Sequence, residues 1–131
     1  MFELHAPGVF LVRYRERHDL APANQGPLVE AIREASPAGP VGVVFDVGPG
    51  VAWVDVAVPT FWLQTTADPR VRIGAMAIVT GSLAVELAVG GFALARSIRR
   101  SDMQVKTFPA QFAALAWVRE TIAAAPRLAT T

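Results

Sequence analysis

Short apolar runs of strand length alternate along this chain with longer apolar segments of helix length. Val41 to Val47 (Val-Gly-Val-Val-Phe-Asp-Val) is nearly continuous in apolar residues, the pattern of a strand covered on both faces in a parallel sheet. Val71 to Thr80, with Ile73, Met76, Ile78 and Val79, reads as a second such strand, and Met103 to Phe108 as a third. Ahead of them, Phe2–His5 and Val9–Arg17 flank the turn residues Ala6-Pro7-Gly8, and Phe10, Val12 and Tyr14 alternate with Leu11, Arg13 and Arg15. That combination predicts an N-terminal hairpin.

Four helices are expected between and after these strands. In Leu20–Ala35, Leu28, Val29 and Ile32 share a face, and Pro22, Gly26 and Pro27 confine the regular part to Gly26–Ala35. A second helix is expected over Asp55–Ala67. With Asp55 as N-cap, Pro59 falls at the fourth helical position, so the regular helix starts either at that cap or at Pro59 itself. Leu83–Ile98 is the third. Pro109–Ala124 is the fourth, with Pro109 at its start and an apolar stripe of Phe112, Leu115, Ala116 and Ile122. The fold class that follows is α/β: one domain over residues 1–124, a mostly parallel sheet of four to five strands with an antiparallel N-terminal hairpin, and about four helices. Residues 125–131 are expected to fray.

The third helix breaks the usual rule for a surface helix. Leu83–Ala95 reads Leu-Ala-Val-Glu-Leu-Ala-Val-Gly-Gly-Phe-Ala-Leu-Ala, with Glu86 as its one charge, so no stripe is reserved for water. Its sheet can cover one side. A second subunit, a membrane surface or a bound apolar ligand has to be considered for the other. Gly90-Gly91 costs about 1 kcal/mol per glycine inside a helix, a cost tolerated where another backbone approaches closely. Val89 and Phe92, with Phe61 and Trp62 of the second helix, are therefore the expected contact residues.

Composition narrows the function classes. At 131 residues, 53% hydrophobic and 18% charged, the chain can bury one core and carries less charge than most soluble domains, which favours a buried interface. Twelve basic residues against eleven acidic ones leave no net field to draw in nucleic acid or an anionic bilayer. The chain contains no cysteine, which removes disulfides, thiolate nucleophiles and cysteine-ligated metals. No secretory signal pattern and no membrane-spanning run is visible, and the expected setting is cytoplasmic. No cofactor and no metal is expected.

The residues able to carry chemistry are few, and most have a plain structural role available. Asp46 and Asp55 would flank a cleft at the carboxyl ends of the strands, where open α/β sheets bind ligands, but strand termination and helix capping explain both. Gly48-Pro49-Gly50 lacks the lysine and hydroxyl of a phosphate loop. Thr80-Gly81-Ser82 offers hydroxyls and free N–H groups at the next strand-to-helix turn, and Ser82 is equally a helix cap. His5 and His18 lie in different elements, with no carboxylate or serine at a telling interval. Arg13, Arg15 and Arg17 would give an edge strand a charged, solvated face. Trp53, with Phe61 and Trp62, forms an aromatic group that is either core or an interface anchor.

Two stretches carry a family resemblance. Val43-Val44-Phe45-Asp46-Val47 leading to Asp55 at a helix start, and Val105-Lys106-Thr107-Phe108 followed by Ala113-Ala114-Leu115-Ala116-Trp117-Val118, resemble the STAS domain, most closely its SpoIIAA-like, STAS/SEC14-type bacterial branch. The resemblance implies a regulatory, partner-binding module without enzymatic activity. In the anti-sigma-factor antagonists of that family two such aspartates flank a phosphorylatable serine, whereas this chain has Val56 and Ala57 in that place. The expectation is association through apolar helices, as a homodimer or with a protein partner. The alternative implied by SEC14-type relatives is an apolar pocket for a lipid or other hydrophobic small molecule.

Overall fold

A computed structural model describes residues 2–98 and 102–124. The strands are β1 (Phe2–Ala6), β2 (Val9–Tyr14), β3 (Val41–Val47), β4 (Ile73–Val79) and β5 (Gln104–Phe108); the α-helices are α1 (Gly26–Ala35), α2 (Ala57–Thr66), α3 (Leu83–Ile98) and α4 (Gln111–Ala124). Short 3₁₀ turns at Arg17–Leu20, Pro22–Asn24 and Ser36–Ala38 link the first elements. The five strands form one sheet in chain order, with β1 antiparallel to β2 and every later pair parallel. This is the α/β fold with an antiparallel hairpin that the alternation of apolar runs predicts. The expected frayed tail, residues 125–131, lies outside the described residues.

Strand order equal to chain order decides where the helices go. Parallel connections share one hand, so successive crossovers that step the same way across a sheet place their helices on one face. The larger core accordingly joins Leu28, Val29 and Ile32 of α1, Trp62 of α2, and Val85 and Phe92 of α3 to Phe10, Val12, Tyr14, Val43, Phe45, Met76 and Ile78 of the sheet. Only α4, which follows the last strand, crosses to the opposite face, where Ala114 and Val118 pack against Val9, Leu11, Val44, Ala75 and Ala77.

That second face is lined mainly by valine and alanine with Gly42 among them, and α4 lies close against it. A Cβ at Gly42 would stand 2.1 Å from Val118 Cγ1, so the absence of a side chain is what admits the helix. The close approach also sets the rotation of α4. Ala114 and Val118 point inward, and Phe112, about 200° away around the helix from Ala114, is 86% exposed. The expected stripe of Phe112, Leu115, Ala116 and Ile122 is therefore corrected at Phe112 and Ala116, which are exposed, while Leu115 and Ile122 pack half-buried against this face.

Two further expectations change. β2 ends at Tyr14 and is flanked by β1 and β3, so Arg13, Arg15 and Arg17 do not line an edge strand. Arg13 pairs with Glu3 across the hairpin, and Arg17 sits in a 3₁₀ turn. At α2, regular structure begins at Ala57, between the two expected starts. Asp55 accepts the Ala57 N–H at 2.9 Å, and Pro59 falls in the first turn, where a missing N–H breaks no ladder bond.

Gly42→Ala is expected to destabilise the protein by about 1–3 kcal/mol through overpacking, read from urea unfolding. In a Val118→Ala background most of that loss should vanish; an equal loss in both backgrounds would show that Val118 is not the obstacle.

Candidate functional site

Three places combine the candidate residues. The first is an apolar cleft between α2, α3 and the sheet. Its floor is Tyr14, Phe45, Val47, Met76 and Ile78; Val54, Val58, Pro59 and Trp62 form one wall, and Val85, Ala88, Val89 and Phe92 the other. Its volume is about 80 Å³. The aromatic rings are mutually fixed: Tyr14 stacks on Phe45 at 5.6 Å and 11°, and Trp62 meets Phe45 edge-on at 5.2 Å and 66°. Phe61 backs Trp62 from outside at 5.3 Å.

The floor is held by a buried polar hook. Tyr14 donates its hydroxyl proton to Gln25 Oε1, and the Gln25 amide donates to the carbonyls of Asp19 at 2.7 Å and Ala21 at 3.1 Å. Gln25 is fully buried, so every one of these bonds replaces lost hydration. Burial raises the Tyr14 phenol pKa far above its ordinary value, and the negative charge of Asp19 adds to the effect. Asp19 is itself held below the usual carboxylate range by the N–H groups of Arg15 and Glu16, which donate to it at 2.8 and 3.0 Å.

The second place is the outer face of α3. Val85 and Phe92 point into the core and Val89 is half-buried against it, while Leu83, Leu87 and Leu94 are 69%, 69% and 64% exposed. Between Leu87 and Leu94 lie Gly90 and Gly91, where an added Cβ would meet nothing within 4 Å. The expectation that Val89 and Phe92 form an exterior contact is thus corrected. A helix apolar all round does not reveal its phase, and the sheet took the face carrying Val85, Val89 and Phe92.

The third place is the crevice at the carboxyl ends of β3 and β4, lined by Asp46, Gly48, Pro49, Val51, Thr80, Gly81, Ser82 and Pro109 among others. Its polar side chains are engaged. Gln111 Nε2 donates to Asp46 at 2.8 Å. Ser82 accepts the Val85 N–H at 3.3 Å, capping α3, and donates to the Ala52 carbonyl at 2.7 Å. The Gly48 N–H donates to Tyr14 O at the end of β2, and the Val51 N–H closes the Gly48-Pro49-Gly50 turn by donating to Gly48 O. Asp55 does not line this crevice. It is exposed and accepts the Ala57 N–H at the start of α2, so the crevice holds Asp46 without Asp55.

The remaining aromatic, Trp53, is 48% exposed, with the Arg17 guanidinium 3.9 Å above its ring centre. The structure thus brings Trp62, Val89 and Phe92 together around the apolar cleft and Asp46 and Ser82 around the crevice. It places Trp53, Asp55 and Phe61 in neither. Tyr14, Phe45 and Gln25 were missed as site residues; the alternation of β2 marks Tyr14 as core and the apolar run of β3 marks Phe45, but no local signal pairs Tyr14 with Gln25. Among the described residues no three His, Asp or Glu side chains are grouped to hold a metal ion, and no helix is long and apolar enough to cross a membrane. No family model, curated protein or solved structure matches the chain.

Tyr14 is the chain's one tyrosine, which makes its titration readable. A phenol whose pKa is raised by folding contributes stability that is intact below the unfolded value near 10 and declines above it, by about 1.4 kcal/mol per pH unit. Unfolding free energy should fall accordingly above pH 10. Tyr14→Phe should remove that contribution and cost about 1–3 kcal/mol at neutral pH by stranding the buried Gln25 carbonyl oxygen; an unchanged alkaline slope would contradict the assignment.

Proposed function

We propose that this protein is a non-enzymatic association module of the STAS type, acting in the cytoplasm, that pairs with a second copy of itself through the outer face of α3. The observation that carries the reading is the line of Leu83, Leu87 and Leu94, each about two-thirds open, around a pair of glycines against which no other described residue packs within 4 Å of an added Cβ. Isolated exposed leucines are ordinary on a protein surface, but three along one helix face form a patch. Among the described residues α3 is the last helix of its layer, with α2 on one flank and no helix beyond it, which leaves the patch open.

The pattern also suits a two-fold axis. In an antiparallel pairing centred between Ala88 and Val89, Leu83 of one copy meets Leu94 of the other, and Leu87 lies over the partner's glycine notch. Burying the open parts of three leucines from each copy yields on the order of 10 kcal/mol, comparable with the lost translational and rotational freedom. The pairing is therefore reversible and concentration dependent. Separation of Asp46 from Asp55, each with its own hydrogen-bond donor, supports a role without acid–base chemistry.

Sedimentation velocity over a concentration series should show a monomer–dimer equilibrium, and Leu87→Arg should give monomer with unchanged unfolding temperature. Phe92→Asp, in contrast, should lose several kcal/mol of stability because it places a charge in the core. Wild-type protein that stays monomeric at high concentration, or a Leu87→Arg dimer as tight as wild type, overturns the reading.

A further inference from the structure

We propose that the apolar cleft between α2, α3 and the sheet is a binding site for a small, uncharged aromatic molecule of about one ring. This inference does not rest on association, since the cleft uses the inner face of α3 and the pairing its outer face. The cleft walls present carbon, and the one hydroxyl in the lining, that of Tyr14, is committed to Gln25. Water entering it would find none of the two to four polar partners it needs, so the space favours an apolar occupant.

Size decides which one. The volume of about 80 Å³ is roughly half that of an engineered apolar cavity of about 150 Å³ that takes up benzene, and this space opens outward between α2 and α3. A single ring therefore enters with one edge left in the mouth, whereas an acyl chain has no room to run. A carboxylate or phosphate headgroup has no partner in the lining. The ring geometry is also favourable: the stacked Tyr14–Phe45 pair and the edge-on Trp62 offer the offset and T-shaped contacts that aromatic groups prefer. Met76 lies in the floor as an adaptable, polarisable side chain.

The test is a titration of ¹⁵N-labelled protein with benzene, followed by two-dimensional NMR. Saturable shifts are expected at the Trp62 indole N–H and at the Val89 and Phe92 amides, with the Trp117 indole, on the opposite face of the sheet, unmoved. Ala88→Phe, which fills the cleft, should weaken binding at least tenfold; Val89→Phe serves the same purpose if that variant does not fold. Decanoic acid should leave the Trp62 signal in place. Absence of a saturable shift at Trp62 in folded protein, full binding by the filled variant, or a response to decanoic acid but not benzene would each overturn the proposal. A dimer that still forms in the filled variant leaves the association reading standing, so the two can fail separately.

Discussion

The shared hand of parallel crossovers governs the rest of this molecule. Because β2 to β5 lie in chain order, three connecting helices are forced onto one face of the sheet and a single terminal helix is left for the other. The two faces answer differently. The three-helix side is filled with rings and branched chains, and their imperfect fit beneath α2 and α3 leaves the apolar cleft. The single-helix side is drawn close by glycine and alanine, with α4 packed directly over Gly42.

The same constraint explains why α3 is apolar on both sides. A helix at the end of a one-sided layer has a sheet beneath it and a neighbour on one flank only. Val85, Val89 and Phe92 answer to the sheet and α2, and Leu83, Leu87 and Leu94 answer to nothing else among the described residues. The glycine pair lies among those leucines, and among the described residues no close approach calls for it.

Much of the architecture was legible because its signals are local. The buried strand Val41–Val47, the α1 limits set by Gly26 and Ser36, and the start of α3 at Leu83 all follow from runs, prolines and caps. Helix phase was harder to read. α4 contains alanines on every side, so its inward face was decided by the small residues of distant strands, and Phe112 was misplaced for that reason. On α3, where nearly all positions are apolar, periodicity could not separate Val89 and Phe92 from the exposed leucines. The Tyr14–Gln25 hook was invisible because it joins a strand end to a loop eleven residues later, with no spacing rule behind it.

That hook has a kinetic consequence. The stretch from Arg17 to Asn24 contains only short 3₁₀ turns and would, by itself, open on its own timescale. Gln25 fastens the carbonyls of Asp19 and Ala21 to a phenol stacked over the central strand. Loosening the stretch at that point strands a buried amide, so its exchange with solvent becomes tied to the opening of the core. An irregular segment at the edge of the helix layer thereby unfolds as part of the sheet.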